Sequence, residues 1–105
     1  DDITEAWSGI TTKQYKNYKN LKKENLRDNM CNMELVLNML AEATTAEISK
    51  ENNPKNFDEN RKIARQGGTV AANARKEIES KTGKKIVTPK NAKQLGNKNI
   101  KEIEK

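Results

Sequence analysis

Asn32-Met33-Glu34-Leu35-Val36-Leu37-Asn38-Met39-Leu40-Ala41-Glu42-Ala43 is the stretch that decides the fold. Eight of its twelve residues are apolar, and Glu34, Asn38 and Glu42 recur at every fourth position as a narrow polar strip. A helix apolar over most of its circumference is buried on most sides. The stretch therefore reads as the central helix of the domain, with Asn32 as its N-cap. Met33, Val36, Leu37 and Leu40 are its candidate core or interaction residues. The expected fold is all-α: a small domain of four to six short helices packed around residues 33–43.

The neighbouring segments supply the other helices. Thr44-Thr45-Ala46-Glu47 fits a capping box, so a new helix is expected at Thr44, running to about Lys50. The break would also keep Glu47 off the apolar face. Upstream, Thr11 or Thr12 can cap a helix. There Tyr15, Tyr18 and Leu26 fall within about 80° of one another, and Lys13, Lys16, Lys19, Lys23 and Arg27 occupy an adjacent arc of about 120°. Lys22 interrupts the apolar side, which predicts a break at residues 20–22 and two shorter helices. Downstream, Asn52-Asn53-Pro54 is a turn, and residues 57–66 read as a helix closed by Gly67-Gly68. Val70, Ala71, Ala74 and Ile78 recur at helical spacing up to Gly83. Ile86-Val87-Thr88-Pro89 reads as extended. Beyond Asn91 only Leu95, Ile100 and Ile103 are large and apolar, so residues 92–105 are expected to be a weakly ordered tail after a domain spanning residues 1–91. No repeat and no sheet pattern is present.

Composition narrows the function. The chain has 105 residues, 32% of them hydrophobic, against about 45–50% apolar in ordinary soluble domains. Such a chain forms one domain with a small core. It begins with Asp1, which suggests a piece of a longer protein. The absence of His excludes His-based acid–base catalysis, Ser-His-Asp and Cys-His pairs, and His metal ligands. Cys31 is the single cysteine, so no internal disulfide can form, and a reducing, cytoplasmic compartment is expected. No apolar run approaches the roughly 20 residues of a membrane span. The net charge of +6 is distributed in blocks: −3 over residues 1–10, +4 over 11–30, −4 over 31–60 and +9 over 61–105. Two basic blocks around an acidic one fit a nucleic-acid footprint as well as a merely basic surface.

The candidate sites have plain structural explanations. Gly67-Gly68-Thr69 before a helix could offer N–H groups to a phosphate, but a C-cap followed by an N-cap accounts for it. Glu77, Glu79 and Lys81 contain the residue types of metal-dependent nucleases, yet on a helix residues i and i+2 point apart. Glu47 and Glu51 lack a third ligand. Cys31 beside Met30 and Met33 reads as a small core residue, and Trp7 as a packing anchor. Tyr15 and Tyr18 could stack on bases, although sharing a face with Leu26 favours the core. No catalytic group, cofactor, metal or small-molecule substrate is expected. The chain reads as a binding module.

Gly9-Ile10-Thr11-Thr12-Lys13-Gln14-Tyr15-Lys16, Lys19-Asn20-Leu21-Lys22-Lys23-Glu24-Asn25 and Arg27-Asp28-Asn29-Met30 resemble the C-terminal part of the DNA-damage-inducible protein D family. So do Glu34-Leu35, Leu37-Asn38, Ala43-Thr44-Thr45, Gly67-Gly68 and Val70-Ala71-Ala72-Asn73-Ala74-Arg75. The same block accompanies the BRO-type domain of proteins described as phage antirepressors. The resemblance covers most of the chain to about Pro89, and the BRO-type domain itself is absent. It implies a bacterial or phage-encoded regulatory protein rather than an enzyme, acting in the DNA-damage (SOS) response or in phage regulation. Two modes of action follow. One is protein interaction or oligomerisation, with another copy, a repressor or a recombination protein as partner, because so apolar a helix needs more cover than a short chain supplies. The other is auxiliary, sequence-tolerant DNA binding by the basic arc of residues 13–27.

Overall fold

The computed structural model describes residues 2–93. Four helices follow in order: α1 (Asp2–Ser8), α2 (Thr12–Tyr18), α3 (Asn32–Asn52) and α4 (Phe57–Thr82), with one 3₁₀ turn at Arg27–Asn29. Among the described residues there is no strand, and the fold is all-α as expected. The weakly ordered tail anticipated from the sequence lies, from residue 94 on, outside the described residues.

Local signals end and start these helices. Gly9 leaves α1 at φ +83°. Thr11 caps α2 reciprocally: its hydroxyl accepts from Gln14 N at 3.1 Å, and Gln14 Oε1 accepts from Thr11 N at 2.9 Å. The chain breaks at Asn20, which adopts φ 60°, a conformation Asn tolerates better than most residues. Cys31, one residue earlier than expected, occupies the cap of α3, with its N–H donating to Glu34 Oε1 at 2.8 Å. Asn53 (φ 47°) ends α3, and the Asn56 side chain caps α4 by accepting from Glu59 N at 2.9 Å.

Two expected breaks are absent. α3 runs through Thr44 without a new cap, because the reason for breaking it does not arise: Glu47 lies at the surface, 3.4 Å from Lys50. α4 runs through Gly67-Gly68 instead of ending there. The two glycines are points of close helix approach. A β-carbon on Gly67 would collide with Thr45 Oγ1 and lie 2.9 Å from the Ala41 carbonyl oxygen of α3. One on Gly68 would collide with Ala6 Cβ and lie 3.1 Å from the Ile3 carbonyl oxygen of α1. Tertiary packing outweighs the modest cost of glycine within a helix, about 1 kcal/mol each.

The core gathers Trp7, Tyr15, Leu37, Ala41 and Ala71, with Leu21, Leu26, Met30, Ala72 and Ile86 around them. Trp7 and Tyr15 meet edge to face with centroids 6.2 Å apart. Residues 84–93 form no regular extended element and return across the N-terminal half of the molecule. Ile86 is buried, Thr88 Oγ1 lies 3.1 Å from Cys31 Sγ, and Ala92 N donates to Asn29 Oδ1 at 2.8 Å.

The residue 33–43 helix is not buried on most sides. Its inward face carries Glu34, Leu37, Asn38 and Ala41, while Met33, Val36, Met39 and Leu40 are 37–53% exposed. Glu34 and Asn38 of the polar strip face the interior because α1 and α2 bring polar groups there, while Glu42 stays at the surface with Arg27. Trp7 Nε1 and Thr4 Oγ1 both donate to Asn38 Oδ1, at 3.0 and 3.2 Å. A buried indole N–H without an acceptor would cost about 1–3 kcal/mol, so the acceptor goes inside and the surplus apolar side chains go out.

A candidate interaction surface on the helical hairpin

The inner side of α3 holds a buried charged cluster. Lys19 Nζ is 2.8 Å from Glu34 Oε1, and both side chains are fully buried. Tyr15 donates its hydroxyl to Glu34 Oε2, and Lys19 also donates to the Lys90 carbonyl oxygen at 2.6 Å. Burial, together with the hydrogen bond to Glu34 and its charge, holds the Tyr15 phenol far above its ordinary range. Burial also raises the Cys31 thiol, which disfavours the nucleophilic thiolate. Both carboxylate oxygens of Glu34 are engaged by groups of the fold. The cluster clamps α2, α3 and residues 84–93 together.

The basic arc of residues 13–27 does not assemble. Lys13 and Lys16 lie on α2, but Lys19 turns inward to Glu34. Lys23 lies on the irregular segment after the break, so helical spacing no longer relates it to the others. Arg27 is on the 3₁₀ turn and donates to both oxygens of Glu42, at 2.7 and 3.0 Å. Lys16 and Arg27 do share a shallow cleft of 270 Å³, where Glu42 offsets the charge of Arg27. The two tyrosines also part: Tyr15 is core, while Tyr18 is 48% exposed. Leu26 remains in the core.

The predicted interaction residues divide as well. Leu37 is 1% exposed and belongs to the core, whereas Met33, Val36 and Leu40 point outward with Met39 and Ala43. Val70 of α4, one of the apolar residues that recur there at helical spacing, is 46% exposed. At 100° per residue, Val36 and Leu40 each lie about 160° around α3 from Asn38, and Val70 lies about 160° around α4 from Gly68. Asn38 and Gly68 are the positions that meet α1. Met33, Val36, Leu40 and Val70 thus lie on the side of the α3–α4 hairpin away from α1, whereas Phe57, exposed at the start of α4, does not. Met39 and Ala43, which belong to the apolar run of residues 33–43, and Val70 of α4 join this surface. The signal for the orientation of α3 is the i, i+4 pair Glu34/Asn38, which marks the side that must find donors.

Among the described residues no group of three His, Cys, Asp or Glu could hold a metal ion, and no helix is long and apolar enough to cross a membrane. Comparison of the chain with protein-family models, with curated proteins and with solved structures finds no match.

Proposed function

We propose that this chain is a non-enzymatic interaction module that self-associates through the outer face of α3. Its setting, on the sequence resemblance, is a regulatory protein of the DNA-damage-inducible protein D or phage antirepressor type. The observation that carries the reading is the exposure of Met33, Val36, Met39 and Leu40 on a single helix face, with Val70 of α4 exposed as well. Contiguous apolar surface of this kind marks interaction sites.

A second copy is the partner that fits. Glu47 and Glu51 continue the same arc toward the C-terminal end of α3. In an antiparallel pair centred near Leu40 they would stand beside the partner helix's N-terminus, where negative charge is favoured. The apolar residues would meet their own kind, as a two-fold interface requires. Completing the burial of about ten half-exposed side chains contributes roughly 10 kcal/mol, against an association cost of about 4–15 kcal/mol. The pairing is therefore weak and reversible, in the micromolar range or above.

Sedimentation velocity over about 1–500 µM, a range that brackets such an affinity, tests the reading. The wild-type chain should shift from monomer toward dimer, and Val36→Lys with Leu40→Glu should stay monomeric with an unchanged circular dichroism spectrum. A wild-type chain that is monomeric throughout overturns self-association.

A further inference from the structure

We infer that the solvent face of α4 is a sequence-tolerant docking surface for duplex DNA, independent of the α3 face. Between Glu59 and Glu77 the seventeen residues 60–76 contain five cations and no carboxylate. Two of the cations are committed within the fold. Arg61 Nε donates to Asp2 Oδ2 at 3.2 Å, and Arg75 donates to the Trp7 carbonyl oxygen at 2.9 Å and to Glu79 Oε1 at 2.8 Å. Lys62, Arg65 and Lys76 are exposed, and their side chains have no ion pair or hydrogen bond among the described residues.

These three cations share an arc of about 100° with Gln66, Thr69 and Asn73, and span about 21 Å along the helix axis. All six side chains are exposed. A groove of 640 Å³ follows the N-terminal half of the arc, lined by Lys62, Arg65, Gln66 and Thr69 with Asp58 and Arg61. The opposite side of α4 is anchored at Gly67 and Gly68 against α3 and α1, so the face is carried on a fixed element.

The composition of the arc selects the partner. A protein interface has an apolar centre, and this arc has none. Dispersed cations with amide and hydroxyl donors between them suit phosphates spaced along a backbone. A helix about 10–12 Å across also matches a major groove about 12 Å wide. Three free cations allow about three phosphate contacts, hence a log–log salt slope of about −2.7 and weak binding. Asp2 and Glu5 line a cleft beside Arg65 and Thr69, and their charge opposes the phosphates. This surface replaces the arc of residues 13–27, which the fold dismantles.

The test is a fluorescence-anisotropy titration of the 105-residue chain with a labelled mixed-sequence DNA duplex across a salt series. Wild type should bind at low salt with a slope between about −2 and −3. Lys62→Glu/Arg65→Glu/Lys76→Glu should weaken binding at least about tenfold without altering circular dichroism, as expected when three phosphate contacts reverse sign. Glu5→Gln should tighten it about two- to threefold by removing a repelling charge. Lys13→Glu/Lys23→Glu should stay within about twofold of wild type, since both lie off this face. Absence of low-salt binding by wild type overturns the inference. So does wild-type affinity in the triple variant, or an equal loss in the Lys13/Lys23 pair. Displacement by polyglutamate as effective as by unlabelled duplex at equal charge would also overturn it, reassigning the face to acidic polymers in general.

Discussion

Lys19 Nζ and Glu34 Oε1 lie 2.8 Å apart with no solvent exposure on either side chain, so a lysine from the end of α2 is fastened inside the fold to the first turn of α3. Two charges removed from water are tolerable only when both are fully partnered. Here Tyr15, the Cys31 N–H and the Lys90 carbonyl complete the set. Lys19→Met leaves Glu34 without its counter-charge and should cost about 3–5 kcal/mol in urea unfolding. Lys19→Met/Glu34→Gln removes both charges, keeps one carbonyl oxygen as acceptor for the Cys31 N–H and turns an amide N–H toward the Tyr15 hydroxyl oxygen, and should recover part of that loss. A double variant as unstable as the sum of its single changes would show that the pair is not coupled.

Stability should fall at alkaline pH. The phenol of Tyr15 is raised far above its ordinary 10.0 by burial and then by Glu34, and the Cys31 thiol is raised above 9.0 by burial. Both groups are therefore neutral in the fold at pH values where the unfolded chain has ionised. Their stabilisation is complete below the unfolded values and declines above them, beginning near pH 9 with Cys31. Above pH 10 the Tyr15 contribution falls by about 1.4 kcal/mol per pH unit. Urea midpoints in wild type and Tyr15→Phe, taken from about pH 8 to about pH 11, check this. The phenylalanine variant should lose the steeper part of the decline.

Gly67→Ala should destabilise the fold although alanine is the better helix former by about 1 kcal/mol. The added methyl would meet Thr45 Oγ1 and two backbone atoms of α3, Thr45 N at 2.8 Å and the Ala41 carbonyl oxygen at 2.9 Å. Overpacking against backbone forces the helices apart, at about 1–3 kcal/mol or more. A lower thermal midpoint is expected, and Thr45→Ala, which also removes a buried hydroxyl without a hydrogen-bond partner, should lessen the penalty. A raised midpoint for Gly67→Ala would contradict the close approach.

Leu37 and Leu40, three residues apart, separate folding from association. Leu37 is 1% exposed and Leu40 37% exposed. Leu37→Ala should cost about 2–5 kcal/mol of stability. Leu40→Gln should cost markedly less, because part of its side chain is already in water, yet shift the monomer–dimer equilibrium toward monomer. Chemical denaturation alongside sedimentation of the same samples reads both effects.

The features legible in the sequence are those that neighbouring residues settle. Thr11 and Gln14 satisfy each other's backbone donors within one turn, Asn20 and Asn53 accept positive φ where the pattern fails, and Gly83 closes α4 at φ +71°. Each depends on groups within about four residues. Trp7 and Tyr15 were also legible as core, since large aromatic side chains bury wherever a small domain can take them. In the sequence Gly67-Gly68 reads as punctuation because the residues that need its missing side chains, Thr45 and Ala6, are far away in the chain.

The sequence alone determined that the chain is helical, where most of its helices begin and end, and that it has more apolar surface on residues 33–43 than its few aliphatic side chains elsewhere can cover. The tertiary structure decided which side of that helix faces inward. The choice rests on polar groups 15 to 34 residues distant, Thr4, Trp7, Tyr15 and Lys19, whose hydrogen-bonding needs are met by Asn38 and Glu34. Helical periodicity finds the apolar stripe but carries no term for those distant donors. Leaving them unpaired in the core would cost more than leaving Met33, Val36, Met39 and Leu40 partly in water.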